Sequence, residues 1–213
     1  MCWLSVPPDP NVVTEIVNRR TVLTTAAAAV AAAGSMLALG WWRSQPRNGR
    51  DLLPVPISDM DFTLTDHRGR SFAPAQWLGR PTMAFFGFTF CPDICPTTLF
   101  DISDWLAELG PDADRLNVAL ISVDPERDSP AALADYLSNF DPRIVGLTGA
   151  LPEIEKAASG FRAKFEKLPR DGDYTMNHTA GVFLFDADGL FTSIIDFHED
   201  RRFAIPKIRR SLP

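Results

Sequence analysis

Cysteine, histidine and tyrosine are scarce in this chain of 213 residues, at three, three and two. Three cysteines are too few for a disulfide-stapled scaffold. There is no basic excess either. The formal net charge is -6 and the pI is near 5.0. That argues against general nucleic-acid binding, which needs a basic patch to release counterions. No internal repeat is visible. Apolar residues at 46% and charged residues at 23% describe a globular chain, so disorder and collagen are excluded. A mean hydropathy of -0.03 excludes a polytopic membrane protein. The length suits one domain of about 160 residues with an N-terminal appendage.

Charge is absent from Thr21 to Trp42, and this stretch separates two unlike parts. Residues 1–50 hold five Arg and two acidic residues, a balance of +3, whereas the remainder carries -9. A bilayer-spanning helix needs about 20 uncharged residues, because its backbone must satisfy itself. The run is long enough and ends in Trp41 and Trp42, which suit a membrane interface. Its Ala-rich composition makes the insertion energy modest. Arg19 and Arg20 lead into it and resemble a twin-arginine export signal. No A-x-A cleavage site follows, so retention is expected. Arg lies on both sides, so the positive-inside rule does not set orientation. The expected organisation is a cytoplasmic segment over 1–20, then a transmembrane anchor or uncleaved signal over 21–42. A linker over 43–57 follows, extended by Pro46, Pro54 and Pro56, and then a folded domain over 58–213. Cys2 has no lipobox around it and reads as incidental.

Beyond the linker, strands and helices alternate. Residues 62–65 enter a turn at 66–69, as in a hairpin. The dense apolar run 82–90 predicts a strand buried on both faces. Leu99, Ile102, Leu106 and Leu109 share a helical face that Gly110-Pro111 ends. Residues 117–123 predict a second strand. Ser129-Pro130 opens a helix to about Phe140. A short strand follows at 144–147, then a helix over 152–165 with Ile154, Ala158, Phe161 and Phe165 on one face. Strands at 182–185 and 191–195 flank the turn Asp186-Ala187-Asp188-Gly189. A last helix spans about 201–212. The pattern predicts an α/β fold with a mixed sheet flanked by helices.

The informative stretch is Phe88-Thr89-Phe90-Cys91-Pro92-Asp93-Ile94-Cys95-Pro96, where a central strand gives way to a helix. Functional groups in α/β folds collect at such strand ends. Free N–H groups and the positive dipole end of the helix favour thiolates. A spacing of four sets both sulfurs on one side of the first turn. That arrangement suits one soft metal ion, copper(I) first and zinc second, or a redox pair formed by Cys91 and Cys95. In thioredoxin-like chains a proline faces the cysteine motif just before a strand of this type. Here His178 stands at that place and offers an imidazole. His67 in a turn and His198 near the last helix read as surface residues. Met176 reads as packing, although it lies two residues before His178. Asp124 to Asp128 reads as a capped, salt-bridged loop rather than a partner-docking segment.

These residues resemble the Sco (SenC) family of copper-binding proteins. The likeness is dense at 85–98, 121–128, 140–144 and 174–181, and it runs from about Ile57 to the end of the chain. The resemblance implies a thioredoxin-like fold tethered by one N-terminal helix. It implies copper bound by Cys91, Cys95 and His178, as copper(I) and also copper(II). It further implies a metallochaperone that helps assemble the dinuclear copper centre of cytochrome c oxidase, with the copper-site subunit as client. Other periplasmic copper carriers or thiol reductases would be further partners. The domain would face the periplasm from a single-pass anchor in a bacterial inner membrane. Where the family commonly has Asp before the ligand histidine, this chain has Asn177. A thiol–disulfide reductase keeping the client's copper-ligand cysteines reduced is the alternative. A peroxidase or a copper-responsive sensor on the same scaffold is less well supported.

Overall fold

The computed structural model describes residues 19–44 and 53–212. Cys2, most of the expected cytoplasmic segment and residues 45–52 of the expected linker lie outside the described residues. The described chain forms two units, a lone helix and a compact domain.

The lone helix, α1 (Arg19–Ser44), follows from its Ala-rich run, since Ala has the highest helix propensity. Leu23, Val30, Met36 and Leu37 are exposed on it. Among the described residues no helix is long and apolar enough to cross a membrane. The expected anchor over 21–42 is therefore present as a helix, without being shown as a span. Ala gives each turn little apolar surface, which is the physical reason the sequence signal is weak.

The domain opens with β1 (Leu64–Asp66) and β2 (Ser71–Phe72) around a tight turn. Next come β3 (Thr82–Gly87), α2 (Ile94–Leu109), β4 (Asn117–Ser122), α3 (Pro130–Leu137), β5 (Ile144–Thr148) and α4 (Leu151–Phe161). It closes with β6 (Phe165–Arg170), β7 (Asp173–His178), β8 (Val182–Phe185), β9 (Phe191–Ile195) and α5 (Arg201–Ser211). Seven strands form one mixed sheet in the order β2-β1-β5-β4-β3-β8-β9, while β6 and β7 pair only with each other. β3 runs parallel to β4 and antiparallel to β8.

β3 is central, and all six of its residues are buried. Alternation along a strand sends neighbouring side chains to opposite faces. Phe86 joins Trp77, Phe161, Phe183 and Phe185 in one core layer. Met83 and Phe85 join Leu99, Ile102, Leu106 and Ile208 in the other. The predicted face of α2 is thus the buried one, and Gly110 ends the helix at φ +58°, where only glycine is unstrained. The Ser129 hydroxyl caps α3 by accepting from the Ala132 amide at 3.2 Å.

Several boundaries differ from expectation, and β3 stops at Gly87, three residues short of Phe90. α3 stops at Leu137, three residues short of Phe140. α4 stops at Phe161, because Arg162 takes the left-handed conformation at φ 56° and Ala163 N donates to Ala158 O at 2.9 Å. Phe165, expected on the helix, instead begins β6. The β6–β7 hairpin was not anticipated at all. Its signal was Asp171-Gly172, a two-residue turn with both φ positive, joining strands too polar to show a core-facing alternation.

Phe161 is fully buried, with its ring 5.3–5.4 Å from those of Phe86, Phe183 and Phe185. We expect Phe161→Ala to destabilise the domain by about 3–5 kcal/mol in chemical unfolding. A loss below about 1 kcal/mol would show that this aromatic layer is not the core it resembles.

Candidate metal centre

β3 delivers the chain to Phe88, which is buried, and the loop then turns so that Cys91 N donates to Phe88 O at 3.3 Å. α2 begins at Ile94, so Cys95 lies in its first turn and Cys91 lies in the loop before it. The residue at the cap, Asp93, makes no side-chain capping bond. The Cys91 sulfur takes that role and accepts from the Cys95 amide at 3.4 Å. Gly87 makes room for this approach, since a Cβ there would sit 3.0 Å from Cys95 Sγ.

His178 is the last residue of β7. Its Nε2 lies 3.5 Å from Cys95 Sγ, and its Nδ1 lies 3.0 Å from the Thr179 carbonyl. A carbonyl only accepts, so Nδ1 carries the proton and Nε2 presents its lone pair to the sulfurs. The Phe88 ring stands edge-to-face against the imidazole at 5.8 Å. One donor atom from each of Cys91, Cys95 and His178 lies within 4.8 Å of the others. Cys95 is buried, whereas Cys91 and His178 are half-buried and line a cleft of about 230 Å³. Both cysteines are unbridged.

The two sulfurs are electrostatically unlike. The Cys95 thiol donates to Cys91 and pulls the Cys91 pKa down to about 4, against the opposing effect of burial. The amides of Asp93 and Cys95 add to that pull. The Cys91 thiolate in turn pushes the Cys95 pKa far up, and burial pushes it further. The pair is a thiolate held by a thiol.

The other candidates fall away from this point. The His67 imidazole is half-buried rather than on the surface, where its Nδ1 accepts from the Gly146 amide at 2.9 Å. His198 is exposed beside the Phe197 ring. Met176 packs on the core and lines the cleft. Asn177 is exposed, and the imidazole's partner is the Thr179 carbonyl rather than this side chain. The loop from Asp124 to Asp128 is salt-bridged as read, with Arg127 Nε on Asp124 at 2.5 Å. The sequence did not show that this loop touches both sides of the site. Asp128 binds Thr89, and Arg127 packs on Phe90 and Tyr174.

Fold and site together define a thioredoxin-like domain that carries a Cys-Cys-His group of the metal-ligand type. The SCO1/SenC family model matches residues 53–213. The mouse mitochondrial protein "SCO2 homolog" is 35% identical over 175 residues, covering 80% of this chain and 68% of its own. Its bovine counterpart is 36% identical, with 80% and 66% covered, so the chain spans about two thirds of these relatives' length. Bradyrhizobium japonicum ScoI, solved with copper bound, is 45% identical at a TM-score of 0.67, covering 75% of this chain and 99% of its own. Yeast Sco1 with copper bound is 36% identical at a TM-score of 0.66, covering 74% and 87%. The chain belongs to the SCO1/SenC family.

The depressed Cys91 pKa has a direct readout. In reduced, metal-free protein, alkylation should fall on Cys91 and spare Cys95. Its rate should stay level from alkaline pH down to about pH 5 and drop as pH approaches about 4. An ordinary free thiol would already have lost most of its rate by neutral pH. Preferential labelling of Cys95 would overturn this assignment.

Proposed function

We propose that the protein is a copper metallochaperone that binds its cargo through Cys91, Cys95 and His178 and serves assembly of the dinuclear copper centre of cytochrome c oxidase. The convergence of two sulfurs and one imidazole within 4.8 Å carries this reading. Soft thiolates with an imidazole suit copper(I), which accepts three-coordination. A structural zinc site wants four closed ligands, and among the described residues the group offers three. Copper(II) would take the same set with a further donor from solvent. That relatives from Bradyrhizobium japonicum and yeast hold copper in their structures supports the choice of ion.

Transfer follows from the unequal burial of the donors. Cys95 is enclosed, while Cys91 and His178 border an open cleft. A client thiolate or imidazole can enter from that side and displace one ligand at a time. The copper-site subunit of the oxidase is the client in this reading, with other periplasmic copper carriers upstream.

A second reading is favoured by the contrast between the sulfurs. An accessible thiolate beside a buried thiol is the arrangement a thiol–disulfide reductase needs. Cys91 would attack a client disulfide, and Cys95 would then displace the client sulfur. The pair would be oxidised as the client is reduced.

Residues 21–42 attach the domain to a membrane in this proposal, with the domain on the periplasmic side of a bacterial inner membrane. The charge-free run and the Trp pair at its end support the attachment, and the twin-arginine-like pair before it supports export of the domain. A chain begun at Asp51 should stay folded and leave the membrane fraction. Aggregation of that shorter chain would place residues 21–42 in the core instead.

The decisive experiment titrates copper(I) anaerobically into reduced protein against a competing chelator. One tight equivalent is expected. Cys91→Ser, Cys95→Ser and His178→Ala should each weaken it by at least about tenfold, since each removes one of three ligands. Unchanged affinity in His178→Ala would remove the histidine from the site. Absence of tight binding, with a readily cycled Cys91–Cys95 disulfide, would select the reductase.

A further inference from the structure

The two halves of the site come from different units of the fold. The cysteines sit in the loop and the first turn of α2 that follow β3 of the main sheet. The histidine sits on the β6–β7 hairpin, which forms no ladder with that sheet. Most hairpin residues are exposed or half-buried, so side chains must hold it in place.

Phe165 and Met176 pack on the core and Phe88 stands against His178, and residues 124–128 supply the polar and stacking contacts. The fully buried Asp128 accepts from the Thr89 amide at 3.1 Å, the Thr89 hydroxyl at 2.5 Å and the Ser122 hydroxyl at 2.6 Å. Thr89 is two residues before Cys91. On the opposite side, the Tyr174 hydroxyl donates to Asp124 at 2.8 Å, and Arg127 Nη1 donates to the Tyr174 carbonyl at 3.2 Å. Tyr174 is four residues before His178 on β7.

Arg127 lies between these two anchor points. Its guanidinium carbon is 4.7 Å from the centre of the Phe90 ring and 3.7 Å from that of Tyr174. Phe90 directly precedes Cys91. One planar cation therefore packs on the aromatic neighbour of a cysteine and on an aromatic residue of the histidine strand. Asp124, almost wholly buried, holds the guanidinium by its Nε, and the Arg127 side chain is 15% exposed. A guanidinium can stack and donate hydrogen bonds in its own plane at once, which an ammonium cannot do.

We propose that Arg127 is the positioning residue of the metal site: it clamps β7 against the cysteine loop and so keeps the His178 imidazole within reach of the two sulfurs. This rests on reading Cys91, Cys95 and His178 as the metal ligands. Without the clamp all three ligands remain in the chain, but the imidazole departs with its hairpin and leaves a two-thiolate site.

The test uses Arg127→Ala, Arg127→Lys, His178→Ala and the double variant Arg127→Ala/His178→Ala in the whole chain. Hydrogen exchange is measured on the metal-free protein, and copper(I) affinity is measured by chelator competition. In Arg127→Ala, β7 amides should exchange at least about tenfold faster while β3 and β4 keep their protection. Copper(I) binding should weaken about as far as in His178→Ala, with Arg127→Lys in between. The double variant should bind no more weakly than His178→Ala, because the clamp acts only through the imidazole.

Arg127→Ala also leaves Asp124 buried without its cation and could fail to fold. Tyr174→Leu removes one stacking face and the hydroxyl bond to Asp124 but leaves that carboxylate its cation, and it should speed β7 exchange in the same sense. Unchanged β7 protection together with wild-type copper affinity in Arg127→Ala would overturn the proposal. So would a double variant whose loss is the sum of the single losses. Failure of the copper reading looks different, because the unaltered protein would then take up no copper while the exchange measurement still tests the clamp.

Discussion

Asp128 is a carboxylate without solvent access, seated under the loop that carries the cysteines. Burial raises its pKa, and the Ser122 and Thr89 groups that donate to it work the other way. An ion in such a place is tolerable only where donors replace water, and here three do. Those donors fix the end of β4 to the start of the cysteine loop. The amides of Arg127 and Asp128 both return to the Asp124 carbonyl, and Ser129 follows as the cap of α3. The path of the chain after β4 is therefore set by where this carboxylate can find partners. The stacked cation beside Tyr174 can lie where it does only because that path is fixed.

The same economy of donors governs the sulfurs. A helix start leaves amides without partners, and the Cys91 sulfur takes the one on Cys95. A thiolate is the better acceptor, so capping and ionisation reinforce one another. The imidazole is oriented by a main-chain carbonyl rather than by a carboxylate. Asn177 is exposed and borders the same cleft as Cys91 and His178, while the partner of Nδ1 is the Thr179 carbonyl. Residue 177 lies in register with Glu166 across the hairpin.

Much of this was legible in the sequence. Cys91 and Cys95 could be named because few residue types do soft-metal chemistry and because strand ends collect functional groups, and His178 because it stands where thioredoxin-like chains place a proline and where the family resemblance puts a ligand. β3, α2, β4, β8 and β9 could be placed because buried elements carry long apolar runs or regular apolar faces. The hairpin could not, since no residue of β6 or β7 is fully buried and its few core contacts, by Phe165 and Met176, leave no apolar period behind. Phe165 continued the helical spacing of α4 in sequence, yet the left-handed turn at Arg162 cut the helix before it. Arg127 and Asp128 read as part of a capped, salt-bridged loop. Their partners, Phe90, Tyr174 and Thr89, lie far away along the chain, and local patterning has no access to such pairings. The N-terminal run was legible as a helix, whereas its relation to a membrane depends on energies that alanine leaves small.

The imidazole and the Cys95 sulfur are separated by 83 residues along the chain. An unfolded chain can offer a metal the two neighbouring thiols at about 2 kcal/mol in chain entropy. To add the histidine it would have to close a loop of that length, at about 4–5 kcal/mol in the loop-entropy description. The third bond is thus a property of the native topology. On the proposed ligand set, a bound ion would distinguish folded from unfolded protein chiefly through one nitrogen, and its retention half-life would double as a gauge of whether the domain around it is intact.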